Sequence, residues 1–458
     1  MLDKLAAALA VPELRNRIRF VFLIFSVYVL CLHVPATFVN QDAVERLISS
    51  GTLFGAIDVF SGGALKKFSI IAMGIMPYIS ASIVMQLLTV AIPQLRQMSK
   101  EGESGRKQIS KITRYATIGL AVVQAFGLYS LFTRGTPGAP PAIVPSVFNL
   151  ITVVAVLTAG TMFLLWLGEQ ITEKGIGNGV SLIIFVGIMV SLPSQILNMF
   201  REAAGRSAGG DASGWFGVLG VIVLFFATIV GIVYMTQAVR KIPVQHVKRI
   251  VGNRMSQGGS SFLPLKVNTA GVIPIIFALQ FQLLPQTFAQ FFPVTTPAGE
   301  FLQRATAYLQ SAPQPGQSIQ AHHIVSSLML AGLIAFFTYF YTAIQYDTSD
   351  IADNLKKYGS FIPGVRPGKP TAEYLDRVLT RITLAAAVFL SVVVLIQNWS
   401  PKLTGVASFG LVGGTSLLIV VGVALETMQA IEAQMAMRNY EGFIKTGAAV
   451  PPGRGAAA

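Results

Sequence analysis

Few residues in this chain have the types needed for catalysis or metal binding, and their spacing supplies neither. The one cysteine, Cys31, has no partner for an intrachain disulfide, and a small apolar helix residue is its ordinary role. The four histidines, His33, His246, His322 and His323, lack acidic or thiol neighbours at metal-ligand spacing, so no metal site is expected. The His322-His323 pair reads instead as the start of a helix at a membrane interface. Gly175-Ile176-Gly177-Asn178-Gly179 has the glycine pattern of a nucleotide-binding loop, yet no strand precedes it. It reads as a tight turn, with Asn178 near a helix start. No Walker sequence or His-Glu-x-x-His run occurs, and no nucleophile elbow, which needs a strand-to-helix turn, is read. The expectation is a non-enzyme that carries no cofactor.

What remains are amides, prolines and glycines set in apolar runs. Gln86 and Pro77 share one run, and Asn268 and Pro274 share another. Each proline removes an internal hydrogen bond and is expected to bend its helix. Two kinked helices with amides fit a seam that opens; plain helix–helix hydrogen bonds are the other reading. Ile75 and Ile79 are one turn apart on one face, where lipid is the usual neighbour. Residues 53–68 are half apolar and too short to span, and Gly62-Gly63 breaks their helical pattern. That segment fits either an interfacial loop helix or a mobile stopper that enters a cavity from outside.

The elements that must position these residues are long apolar runs. A bilayer core of ~30 Å needs ~20 apolar residues in a helix. Runs of that kind fall at 20–39, 69–92, 115–133, 148–168, 179–198, 215–237, 267–292, 323–346, 382–400 and 406–427, and their interiors read as free of charge. Only 12% of the 458 residues are charged, against about 25% in a soluble domain. A helix satisfies its own amides in lipid, so the expected class is an all-α integral membrane protein with ten transmembrane helices. No small-residue cleavage site follows the first run, which is therefore expected to be a retained span.

Of the 34 Lys and Arg, 26 lie in the two terminal arms and in every second connection. The positive-inside rule puts those segments, and both termini, in the cytoplasm. Residues 238–266 hold six basic and no acidic residues, and 347–381 mix both signs around Arg366-Pro367-Gly368-Lys369. Loops this long and basic fit an acidic or nucleic-acid-rich partner as well as a bare topology signal. Ten spans divide into five and five, at about residue 205. Halves with an odd number of spans, if they are repeats, must be inverted relative to one another.

Eight runs, taken together, resemble the SecY family of protein-translocation channels. They are Ser61-Gly62-Gly63-Ala64-Leu65, Gly74 to Ser82, Lys100 to Arg106, Gly168 to Gly179, Leu263 to Pro274, Ala352 to Lys357, Pro363 to Gly368 and Gly413 to Ile419. They occur in family order along essentially the whole chain, which is similar to a bacterial member.

The resemblance implies an hourglass channel with a central pore between two inverted five-helix halves, 1–205 and 206–458. Carried over by motif position, the apolar ring at its waist is Ile75, Ile79, Val180, Ile184, Ile276 and Ile419. The plug lies within 53–68, around Phe60, Ser61, Gly62, Gly63, Ala64 and Leu65. The lateral gate lies between spans two and three on one side and seven and eight on the other, with Gln86, Asn268 and Leu284 near it. Arg240, Lys241, Lys248, Arg249, Lys356, Lys357 and Arg366 form the implied docking surface for the SecA motor or the ribosome. The implied companions are the small membrane subunits SecE and SecG, signal-peptide-bearing polypeptides and anionic lipids, in the inner (plasma) membrane. Cys31-Leu32-His33-Val34-Pro35 departs from the family pattern.

The physics is compatible with that reading. A waist that passes arbitrary polypeptide offers no specific charge, and branched apolar side chains yield and reclose. The runner-up is an ion-coupled transporter, which usually holds an Asp, Glu or Arg at mid-membrane. An intramembrane enzyme would need a Ser/His or paired-Asp set in its spans.

Overall fold

A computed structural model describes residues 11–41, 43–44, 61–134, 141–208, 213–246, 250–251, 254–255, 260–289, 292, 296–309, 313, 317–406 and 414–447. Phe60, Lys248 and Arg249, and 53–60 of the expected stopper segment, lie outside the described residues.

Ten helices correspond in order to the ten apolar runs: α1 Pro12–His33, α2 Met76–Ala91, α4 Glu103–Arg134, α5 Val147–Lys174, α6 Gly179–Ala208, α7 Ser213–Gln237, α8 Ile273–Ala289, α10 Ala321–Gln345, α12 Lys369–Thr404 and α13 Thr415–Gly447. Three shorter helices join them: α3 Pro93–Lys100, α9 Pro297–Leu309 and α11 Thr348–Lys357. Among the described residues, eight of the ten are each long and apolar enough to cross a bilayer. The other two are α2, with 16 residues, and α8, with 17. At 1.5 Å per residue they cover roughly 24–26 Å of a ~30 Å core. α2 then turns through 100° into α3.

The short spans correct two expectations. Residues 69–75 and 267–272 are turns and bends, not the outer parts of helices. Pro77 and Pro274 are each the second residue of their helix, so neither kinks it. The first-turn amides of a helix have no intrahelical acceptor, so proline there sacrifices no bond and presets the backbone. One carboxylate also stands inside a span: Glu426 lies near the end of the tenth apolar run, within α13.

Packing sorts the ten spanning helices into two groups. In the first, α2 packs on α4, α4 on α5, α5 on α6, and α1 on both α5 and α6. In the second, α8 packs on α10, α10 on α12, α12 on α13, and α7 on both α12 and α13. The second set of pairs is the first set moved on by five spans. Between the groups, α6 packs on α7 and α13. The core follows the same division. One apolar cluster is built from α1, α5 and α6 with Ala64, Ile71 and Ile75, and takes in Ile419 and Val423 of α13. Another is built from α7, α8, α10, α12 and α13, and takes in Ile83 of α2.

The two long basic loops fold together. Strands β1 Val239–His246 and β4 Ser260–Lys266 form an antiparallel hairpin, with a smaller one, β2 Ile250–Val251 and β3 Arg254–Met255, nearer its tip. β5, Ser360–Phe361, comes from the loop before α12 and pairs with the other edge of β1, giving the order β4-β1-β5. Ile242 and Leu265 of the sheet join Ile362, Leu375 and Leu379 in a small buried core. That core fastens the sheet to the start of α12. His246 ties all three strands, its Nδ1 2.7 Å from Ser360 Oγ and its Nε2 2.9 Å from Ser261 Oγ.

Candidate functional site

The six expected ring residues come from four segments that are far apart in sequence. Ile75 caps α2 and Ile79 follows one turn later, the amide of Ile79 donating to the Ile75 carbonyl at 3.1 Å. Val180 and Ile184 lie on the first turns of α6. Ile276 is on the first turn of α8, and Ile419 on the first turns of α13. All six belong to one apolar cluster, Ile75, Ile184 and Ile419 as buried members and Ile79, Val180 and Ile276 packed against them. Both helix groups supply side chains to it.

Each segment is aimed there by local chemistry. Asn178 starts α6 as expected, its Oδ1 accepting from the amides of Val180 at 3.1 Å and Ser181 at 3.3 Å. Thr172 at the end of α5 accepts from the Gly179 amide at 2.9 Å, which closes the glycine turn between the two helices. Arg114 and Glu169 hold α4 to α5 through an ion pair of 2.7 Å. On the other side, Gln397 accepts from both the amide and the hydroxyl of Thr415 at 2.8 and 2.9 Å, fixing the start of α13.

The described part of the stopper segment, Ser61 to Phe68, is wedged beside this cluster. Ser61, Ala64, Leu65 and Phe68 are each at most 1% exposed. Ala64 is itself a member of the cluster. Tyr28 of α1 donates to the Ser61 carbonyl at 3.0 Å. Gly62 has φ +73°, and a Cβ there would stand 3.0 Å from the Gly187 carbonyl oxygen and 3.0 Å from Leu32. The far end is tied to the stretch that departs from the family pattern: Ile70 donates to the Val34 carbonyl at 3.0 Å and Ala36 to the Phe68 carbonyl at 2.8 Å. Val34 and Ala36, just after α1, therefore hold the far end of this segment.

Between α2 and α8 the polar contact is made by Gln280. Ser80 Oγ donates to Gln280 Oε1 at 3.2 Å, and Gln280 Nε2 points to Met76 Sδ at 3.4 Å. Gln86, expected near the gate, donates to Ser82 of its own helix at 3.2 Å. Leu284 is 43% exposed, outside the packed seam. Asn268 is buried beside the start of α8, and its Oδ1 has no partner among the described residues. Sequence reasoning passed over Gln280, although an amide in an apolar run one turn after Ile276 was the available signal.

Of the basic residues expected to dock a partner, Arg240 and Lys241 are exposed on β1, Lys356 and Lys357 are exposed at the end of α11, and Arg366 is exposed in the turn before α12. The turn is fixed by a bond from the Val365 amide to the Ile362 carbonyl at 3.1 Å across Pro363-Gly364. Thr371 donates to the Arg366 carbonyl at 2.8 Å. The sheet thus brings basic residues about 120 positions apart onto one structure. The sequence reading missed it because β5 is two residues long and pairs with a strand in another loop.

Comparison with known proteins agrees with this geometry. The SecY family model matches residues 69–428. The chain belongs to the SecY family. It is 42% identical over 457 residues to the protein translocase subunit SecY of Streptomyces scabiei, covering 97% of this chain and 100% of that one. It is 43% identical to the SecY subunit of Halalkalibacterium halodurans, covering 95% of this chain and 98% of that one. Among solved structures it is similar to a protein-conducting channel, with TM-score 0.65 and 18% identity over 92% of each chain. It is also similar to Sec61 in the canine ribosome–channel complex, with TM-score 0.61 and 17% identity over 92% of each chain. As a SecY-family channel subunit with an all-α, multi-span membrane fold, it leaves the ion-coupled transporter reading without support.

Proposed function

We propose that this chain is a protein-conducting channel. It passes unfolded secretory polypeptides across the membrane and releases apolar segments sideways into lipid. The observation that carries the reading is the apolar cluster of Ile75, Ile79, Val180, Ile184, Ile276 and Ile419, drawn from both helix groups and backed by Ala64 of the plug. An apolar constriction resists water and ions, and branched side chains yield to any substrate because they ask no hydrogen bond of it. The groups pack along α6, α7 and α13, whereas the α2–α8 seam rests on Ser80–Gln280 and the docking of Ile83. The seam is therefore the side that parts, and the α6 side is the hinge.

In this reading the 1–205 and 206–458 halves are inverted repeats, and both termini and the β4-β1-β5 sheet face the cytoplasm. The protein lies in the inner (plasma) membrane with SecE, SecG and anionic lipids. Energy comes from outside the chain, through SecA or the ribosome docked on Arg240, Lys241, Lys356, Lys357 and Arg366. Two measurements test these claims. Changing Ile75, Ile184 and Ile419 together to Ser should make resting channels leak ions in planar bilayers; an unchanged seal would remove the waist assignment. Arg366→Glu should impair motor-driven export from vesicles while leaving the protein folded; normal export would remove the docking assignment.

A further inference from the structure

Helix α9, Pro297–Leu309, lies outside the ten spans and none of the roles above uses it. It packs on α8 and α10, the pair that forms one side of the proposed gate. Its residues fall into three sectors. Gly299 is buried, and Leu302, Thr306 and Leu309 are partly buried on the same inner face. Glu300, Gln303, Arg304 and Ala307 form an exposed, mostly polar face, on which Arg304 pairs with Glu300. Between them, Phe301 is 70% and Tyr308 59% exposed. They are seven residues apart and so on one stripe, with Ala305 between them.

The position of the helix is fixed at its C-terminal end. The Leu309 carbonyl accepts from Gln282 of α8 and from Ser326 of α10, the latter at 2.7 Å. Gln282 is seven residues before the end of α8, and Ser326 five residues into α10. At 1.5 Å per residue, the carbonyl is held roughly 8–10 Å inside the ends of two membrane-spanning helices. α8 and α10 themselves carry exposed Phe281, Phe288 and Leu328, as helices that face lipid do.

We infer that α9 is an interfacial anchor: the stripe of Phe301 and Tyr308 inserts into the outer lipid leaflet and holds the outer ends of α8 and α10 at the headgroup boundary. An amphipathic helix with aromatics on one side and charge on the other takes this position because the rings bury apolar area while the polar sector stays wet. The inference rests on the membrane placement of α8 and α10 and on the orientation proposed above, not on the transport reading. Because Cys31 is the one cysteine, a Cys31→Ser background allows single nitroxide labels at Phe301→Cys, Tyr308→Cys and Gln303→Cys in the reconstituted channel. Power saturation with oxygen, which concentrates in lipid, and with a water-soluble nickel chelate reads the surroundings. The labels at 301 and 308 should show a severalfold higher oxygen-to-nickel ratio than the label at 303. Ratios at 301 and 308 equal to that at 303 would put the stripe in an aqueous vestibule and overturn the anchor. Low accessibility to both reagents would mean that a protein partner covers the stripe, and would overturn it equally.

Discussion

Gly74-Ile75-Met76-Pro77 and Gly271-Val272-Ile273-Pro274 open the two short spans in the same way, each with a left-handed glycine three residues before a proline in the first helical turn. Their surroundings differ. A Cβ at Gly74 would lie 3.6 Å from Ser61 Cβ, whereas nothing lies within 4 Å of one at Gly271. Before α2, the chain from Ser61 to Met73 is mostly buried, with Lys67 exposed, and is bonded to Val34 and Ala36. Before α8, the Val267 amide donates to Ala238 at 2.9 Å and Thr269 meets Thr342 at 3.3 Å, while the Asn268 side-chain Oδ1 has no partner among the described residues. One approach to the waist is sealed and the other is held loosely. A channel that must both close and open has reason for the difference: in the proposed reading the packed side carries the plug, and the loose side carries the moving gate helix and the base of the docking hairpin.

The strongest way to break the comparison is to spoil the sealed side. Gly62→Ala places a methyl 3.0 Å from the Gly187 carbonyl oxygen, at a φ of +73° that disfavours a side chain by about 1–2 kcal/mol. The plug should unseat, and resting conductance in planar bilayers should rise well above that of the parent. Gly63→Ala has a similar φ of +84° with open space around it, so it should carry the backbone strain alone and leak far less. Equal conductance in the two variants would show that the close approach to α6 is not what seats the plug.

The difference between the two sides was only partly legible in the sequence. The ten runs and the alternation of basic loops were visible as local patterns, and the six positions that meet in one apolar cluster were reached through motifs shared with the family. Pro77 and Pro274 were seen but misplaced: proline ends a turn pattern equally well as a kink inside a helix or as its second residue, and composition does not separate the two. The match between the packing of α1 to α6 and that of α7 to α13 left no readable trace in the residues, since lipid-facing surfaces accept any apolar side chain. The β4-β1-β5 sheet was hidden for another reason. Its edge pairing joins Gln245 and His246 to Phe361 and Ser360, and two residues carry no periodicity.

A smaller effect sharpens the loose side. Asn268→Leu removes a buried carbonyl oxygen that has no partner among the described residues. An unsatisfied group of this kind costs about 1–3 kcal/mol, so the variant should be thermally more stable in detergent and slower to admit weakly apolar signal segments. A fall in the melting midpoint would show that the amide is satisfied by water or by a passing chain, and that the looseness lies elsewhere.

The smallest expected effect lies at the seam itself, where Ser80 of α2 donates to Gln280 of α8 at 3.2 Å. Hydrogen bonds between membrane helices average about 0.6 kcal/mol, because the separated helices also find partners. Ser80→Ala and Gln280→Leu should therefore each ease sideways release of weak signal segments only slightly. Their effects should be non-additive by about that amount in a double-mutant cycle. Fully additive effects would mean that the resting gate is held by Ile83 and its apolar neighbours alone. A coupling several times larger would mean that the seam is latched. The plug would then no longer be the tighter of the two closures, and the order of events would reverse: the gate would have to be unlocked before the stopper could leave.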